Sequence, residues 1–216
     1  MNLDYSPVVG EVNGPQSASS RLELLRPEPV RERADAARNR EKVLAAAARL
    51  FAEKGVEAVS MDAIAAEAGV GKGTLFRRFG DKSGLAVALL DARERDLQER
   101  ILSGPPPLGP GADAGERLIA FVEAYLDYLF GHLDLTRMSE TASPGARYRI
   151  GAYRFWHRHL AILLGEACPS QDADVLAHAL LAALSGELTA VLTERYGQDR
   201  ARRGITALAE SLLRTP

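Results

Sequence analysis

SMDAIAAEAGVGKGTLFRRFGDK, residues 60–82, reads as two short helices joined by a tight turn, the pattern of a helix-turn-helix. Ser60 stands where a side-chain oxygen accepts from the free N–H groups of the first helix, and Ala63 at the third position rules out a reciprocal capping box. Ile64, Ala65 and Ala68 form the inward face of that helix. Gly69 supplies the turn, because glycine tolerates the left-handed backbone a sharp reversal needs. Val70 turns inward, and Gly71 to Phe79 makes the second helix, with Leu75 and Phe79 four apart on its buried side. Lys72, Thr74, Arg77 and Arg78 are left facing out.

That outward set suits DNA. Arginine forks match guanine edges or phosphates, lysine and threonine reach phosphates or base edges, and a helix fits the major groove. Gly71 and Gly73 each disfavour a helix interior by about 1 kcal/mol relative to alanine. Their presence at a helix start predicts close backbone approach to a ligand. Lys82 falls in the first turn of the next helix, behind an Asp81 cap, where the helix dipole disfavours positive charge. A nearby phosphate would relieve that conflict. Upstream, Val43, Leu44, Ala47, Leu50 and Phe51 line one face of a helix over 38–54, which Gly55 ends. Any one of these basic residues could equally belong to an ordinary solvated face; their combination with the turn glycine and the misplaced lysine points to nucleic acid.

The run from Val43 through Leu90, above all GVGKGTLFRRFGDK at 69–82, resembles the N-terminal domain of the TetR family of bacterial transcriptional regulators. The resemblance implies an all-α homodimer, with a three-helix DNA-binding domain over 36–82 and a helical dimerisation and effector-binding domain over 83–216. It implies that Thr74 and Phe76 touch phosphate, that Lys72 and Arg77 reach bases, and that Lys82 clamps a phosphate; Ser60 and Arg78 complete the expected DNA-binding set. Phe76 replaces a tyrosine often found there, which removes one hydroxyl-to-phosphate bond. Arg78 stands where a histidine is frequent, which adds charge.

Composition agrees. From Arg31 to Lys82 there are 11 Lys/Arg against 8 Asp/Glu, a net of +3, so the rest of the chain carries 16 against 21, a net of −5. Positive charge is thus concentrated at the motif. The single Cys168 precludes an intramolecular disulfide and fits a reducing compartment. No stretch approaches the roughly 20 apolar residues of a membrane span, and the N-terminus lacks a basic region followed by an apolar core, so the expectation is cytoplasmic. Residues 1–35, rich in Ser, Pro, Gly and Asn over most of their length, show no sustained period and are expected to be disordered. Their basic end is open to two readings, a solvated tail or an arm reaching a neighbouring groove.

Downstream, one long helix is expected over 81–101, a Pro/Gly-rich break over 103–115, and helices over 116–130, around 132–139, from Pro144 to about 164, over 173–196, and through Leu213. Leu180, Leu184, Gly186 and Leu188, with Leu208 and Leu212 on the final helix, form stripes that predict a four-helix dimer interface; covering the chain's own core is the alternative. A small organic effector is expected among Phe121, Tyr125, Tyr128, Tyr153, Trp156 and Glu187, although aromatic residues at helical spacing also build ordinary cores. His157 and His159, two apart, point to different sides of a helix, and Asp174 and His178 lack companion ligands. No metal site or cofactor is expected. No nucleophile–base set, phosphate loop or metal motif supports an enzyme. The expected function is a repressor released from a palindromic operator by its effector, with activation, ligand-independent regulation and sequence-indifferent binding as alternatives.

Overall fold

The computed structural model describes residues 30–214, with side chains from residue 34. Two compact units are distinguished, 1–38 and 39–216, and of the first only the opening turns of one helix are described. The helices are α1 (Val30–Lys54), α2 (Met61–Ala68), α3 (Lys72–Phe79), α4 (Lys82–Ser103), α5 (Ala114–Gly131), α6 (Leu133–Thr141), α7 (Ala146–Arg149), α8 (Gly151–Ala167), α9 (Ala173–Ala183), α10 (Gly186–Tyr196) and α11 (Gln198–Leu213). Among the described residues there is no named strand, as an all-α reading requires. Helix α1 begins at Val30, so 30–35 are helical where disorder was expected. The remainder of that expected extension lies outside the described residues.

Two apolar cores organise residues 39–214. The first joins Val43, Ala47, Leu50 and Phe51 of α1 to Ile64 and Ala65 of α2, Leu75 of α3 and Leu85 of α4. The second is built around α5, whose Leu118, Phe121, Val122, Leu126 and Leu129 are all fully buried. Helix α4 serves both, with Leu85 in the first core and Leu90, Leu97 and Ile101 in the second. Leu135 of α6 touches both. Two salt links from Arg202 to Glu123 (2.6 Å) and Asp127 (2.5 Å) fasten α11 to α5.

Two expected long helices are broken. The helix from Pro144 to about 164 is interrupted at Ile150, whose backbone is extended (φ −65°, ψ 131°). Arg149 folds back onto the Pro144 carbonyl (3.0 Å) and Ser143 Oγ (2.7 Å), which holds α7 as a separate turn. The helix over 173–196 bends by 46° between α9 and α10. Ser185 there leaves helical geometry and its Oγ accepts from Leu188 N (3.2 Å), starting a new helix. No single described helix is long and apolar enough to cross a membrane; the α9–α10 pair would be only as a bent span.

Gly186 fits against α6 of its own chain. A Cβ at that position would lie 3.0 Å from Arg137 N and 3.1 Å from Thr136 Cγ2. Leu180 and Leu184 are equally committed, at 1% and 0% exposure in the chain's own core. These three therefore leave the expected dimer interface, because no surface of theirs remains for a partner. Leu212 is half-buried against the same core, whereas Leu188 and Leu208 are exposed.

Gly186→Ala is expected to lower stability by about 1–3 kcal/mol through overpacking against α6, read as a shift of the denaturation midpoint. A variant with an unchanged midpoint would mean that α10 moves freely over α6.

Candidate nucleic-acid interface and ligand cavity

The turn between α2 and α3 forms as its sequence dictates. Ser60 Oγ accepts from Ala63 N (3.1 Å), and Gly69 takes the left-handed conformation (φ 64°, ψ 34°). Val70 N then donates to Ala65 O (3.0 Å), closing the reversal. Leu75, 1% exposed, anchors α3 in the first core. The opposite face of α3 presents Lys72, Thr74, Phe76, Arg77 and Arg78 to solvent, so the structure brings together the residues singled out on this helix.

Their local partners differ. Lys72 Nζ meets Asp62 Oδ2 at 2.8 Å, but both side chains are 61% exposed, so the pair is worth only about 0–1 kcal/mol and yields readily to a phosphate. Lys72 also lies 5.8 Å from the centre of the Phe76 ring, which is 40% exposed. No ion pair holds Arg77 among the described residues. Ser60 spends its acceptor on the helix cap and keeps its hydroxyl proton for a ligand.

Lys82 departs from expectation. Its ammonium donates to the carbonyls of Val56 (2.9 Å) and Glu57 (3.1 Å), and its side chain is 24% exposed. The conflict with the helix dipole is thus relieved by two loop carbonyls, so the residue ties the loop after α1 to the start of α4. The exposed Glu57 carboxylate stands 4.0 Å from the same ammonium. Asp81 caps α4 by accepting from Gly84 N (2.9 Å), and the Ser83 hydroxyl bonded to it holds its carboxyl below the usual range.

In the second core, Tyr125, Tyr128, Tyr153 and Trp156 of the expected effector set line one small cavity together with Glu94, Thr136, Ser139, Glu140, Arg147, Ile150 and Ala152. Its volume is about 20 Å³, the space of roughly one water. Phe121 backs this wall, its ring 5.5 Å from Tyr125 and 6.0 Å from Trp156. Glu187 is exposed and does not line the cavity, because the break at Ser185 turns α10 away. Glu94, Glu140 and Arg147 were missed by sequence reading. They stand among many charged residues, and only the fold buries them together.

Arg147 and Glu140 form an ion pair with side chains 12% and 8% exposed. Glu94 accepts a hydrogen bond from the Tyr128 hydroxyl (3.1 Å). Burial pushes the carboxyls of both Glu94 and Glu140 above their ordinary range, in the second case against the attraction of Arg147. At the far side, Tyr153 Oη lies 2.7 Å from His178 Nδ1, and the His178 ring centre lies 4.0 Å from that of His157. Among the described residues no group of three or more His, Cys, Asp or Glu could hold a metal.

A profile of the bacterial regulatory proteins of the tetR family matches residues 43–89, from the first buried valine of α1 into α4. Residues 43–89 are a TetR-family domain. An HTH-type transcriptional regulator of Staphylococcus aureus is 48% identical over 65 residues, 30% of this chain and 34% of the relative. The chain thus spans about a third of the length of the curated relatives it matches. The fold is shared more widely. A TetR-family transcriptional regulator from Pectobacterium atrosepticum aligns with a TM-score of 0.61 at 23% identity, over 84% of this chain and 95% of that one. A protein from Saccharomonospora viridis, solved in complex with choline, aligns with a TM-score of 0.56 at 27% identity, over 79% and 95% of the two chains.

Lys82→Met is expected to cost about 1–3 kcal/mol of stability in the absence of DNA, since the part-buried Val56 carbonyl loses its donor and the loop loses its tether. An unchanged melting curve would assign Lys82 to ligand contact alone. Glu94→Gln is expected to raise stability at pH 7. A carboxyl with a raised folded-state pKa is favourable while protonated and costs stability as pH rises past its unfolded value, so the gain should vanish below about pH 4. Denaturant midpoints of both proteins across pH 3.5–7 check the sign.

Proposed function

We propose that the chain is a sequence-specific DNA-binding transcriptional regulator, a homodimeric repressor released from a palindromic operator by a small organic effector. The observation that carries this reading is the face of α3, where four polar side chains and Phe76 stand exposed opposite the buried Leu75 within a TetR-family domain. Arg77, free of a partner among the described residues, is the base reader, because its fork is available for a guanine edge. Lys72, Thr74 and Arg78 supply phosphate or base-edge contacts, and Lys82 adds its ammonium. A Cβ added at Gly73 would meet nothing within 4 Å, and this open space is where the sugar-phosphate backbone approaches.

Dimerisation falls to the exposed apolar residues of α9–α11, Val175, Leu188, Val191 and Leu208, which no described element of the chain covers. Two-fold pairing there would present two copies of α3 to two half-sites. The choline held by the Saccharomonospora viridis protein supports a small-molecule effector for this fold. An effector shifts the balance only by its differential affinity for the two states, and α4, shared by both cores, is the element through which the shift passes. The same geometry would serve activation if the operator lay where bound protein recruits polymerase.

Retention of genomic fragments at near-physiological salt is expected to select a few palindromic sites. Arg77→Ala should lose that selection, with preference relaxed by about 1–3 kcal/mol at one or two base positions. Gly73→Ala should raise thermal stability slightly, by up to about 1 kcal/mol, while weakening DNA retention. Retention that follows salt but not sequence would replace this reading with a sequence-indifferent binder.

A further inference from the structure

We propose that Asp62 and Lys72 act together as one reader of a G·C base pair, with the Lys72 ammonium on the guanine edge and the Asp62 carboxylate on the cytosine amino group. This rests on the regulator reading above and gives Asp62, which lies outside the recognition helix, a share in specificity.

The pair joins the starts of two helices. Asp62 stands in the first turn of α2 and Lys72 in the first turn of α3, with Oδ2 and Nζ 2.8 Å apart and both side chains 61% exposed. The Phe76 ring, 5.8 Å from the ammonium, restrains Lys72 from a second side and has no hydroxyl to offer a phosphate. Neither Asp62 nor Lys72 has another charged partner among the described residues. As a unit the two are neutral, so they add little to the attraction that Arg77 and Arg78 exert on the DNA backbone.

A phosphate and a base pair treat such a unit differently. The pair alone is weak enough for a phosphate to draw Lys72 away, but the Asp62 carboxylate is then left unpaired beside a second anion. The major-groove edge of G·C satisfies both members at once. Guanine presents O6 and N7 as acceptors, and cytosine N4 is a donor. O6 and N4 are hydrogen-bonded to each other, so they lie about 2.9 Å apart. That separation matches the 2.8 Å between Nζ and Oδ2.

Counting donors selects G·C over A·T. Of the three ammonium protons, one stays on Asp62 and two meet O6 and N7, while the carboxylate keeps lone pairs for the cytosine N4–H. In A·T the acceptors N7 and O4 flank the N6 donor on opposite sides, so the ammonium reaches only one of them. Removing Asp62 therefore moves specificity and general affinity in opposite directions. Lys72 is freed for a phosphate, which steepens the fall of log affinity with log salt by about 0.9, while preference for G·C at the read position declines.

The test uses the intact chain and the palindromic fragment it selects, with each cytosine of a half-site replaced in turn by N4-methylcytosine, whose methyl group covers the groove-side N4–H and leaves base pairing in place. At one position per half-site the wild-type protein is expected to lose roughly 5- to 150-fold in affinity. Asp62→Ala should melt as the wild type does and bind modified and unmodified DNA alike at that position. Glu67→Ala removes an exposed carboxylate of the same helix that pairs with Arg49, not Lys72, and should keep the sensitivity. Replacing the guanine paired there by 7-deazaguanine, which lacks N7, should weaken the wild type but not Lys72→Ala. Absence of a sensitive cytosine, or sensitivity retained in Asp62→Ala, would overturn the assignment. So would an Asp62→Ala protein tightened equally on every sequence, which would make Asp62 only a brake on phosphate binding. Selection of a palindrome without a sensitive cytosine sinks this inference alone, whereas no sequence selection by the wild type sinks the regulator reading and this inference with it.

Discussion

The ion pair between Arg147 and Glu140 fixes the architecture of the C-terminal helices. Arg147 reaches Glu140 on α6, the Leu181 carbonyl near the end of α9 and, at 3.4 Å, that of Leu184 at the bend. Glu140 in turn accepts from Gly186 N at the start of α10 (2.9 Å). One buried pair thus joins α6, α7, α9 and α10, and it satisfies backbone groups that the bend at residues 184–185 would leave bare. Such a pair gains little over an apolar replacement, but loss of one partner would leave a buried charge uncompensated. Its structural effect is to hold the chain in two short helices where apolar periodicity alone would run one long one.

That constraint has consequences for the cavity and for the surface. Holding α7 apart from α8 leaves Ile150 extended, where it lines both a small cavity and an outer cleft, with Glu94 common to both. Bending α9 against α10 draws Leu180, Leu184 and Gly186 into the chain's own core and leaves Val175, Leu188, Val191 and Leu208 outside. The same pair therefore shapes a candidate ligand site and decides which apolar residues remain for a partner.

At the N-terminal end, a second tether does comparable work. Lys82 closes the loop after α1 onto the start of α4 through two carbonyls. The first core, including the buried anchor Leu75, is thereby joined to the helix that continues into the second core. A change around Glu94, about three turns along α4, has a continuous packed route to α3.

What could be read from sequence was local. Ser60, Gly69, Gly55 and Asp81 specify caps and turns through neighbours a few residues away, and the apolar spacing of Val43, Leu50, Ile64 and Leu75 marks faces that bury together. The helix-turn-helix and its exposed basic face were legible for that reason, as was the all-α class. The partners of Lys82, 25 and 26 residues away, were not. Nor were the breaks at Ile150 and Ser185 or the company of Glu94, Glu140 and Arg147. These depend on which distant carbonyls and carboxylates share one low-dielectric space, where a charge must find its partner. Periodicity records which residues turn inward, but whether inward means the chain's own core or a partner's is settled only when the helices pack.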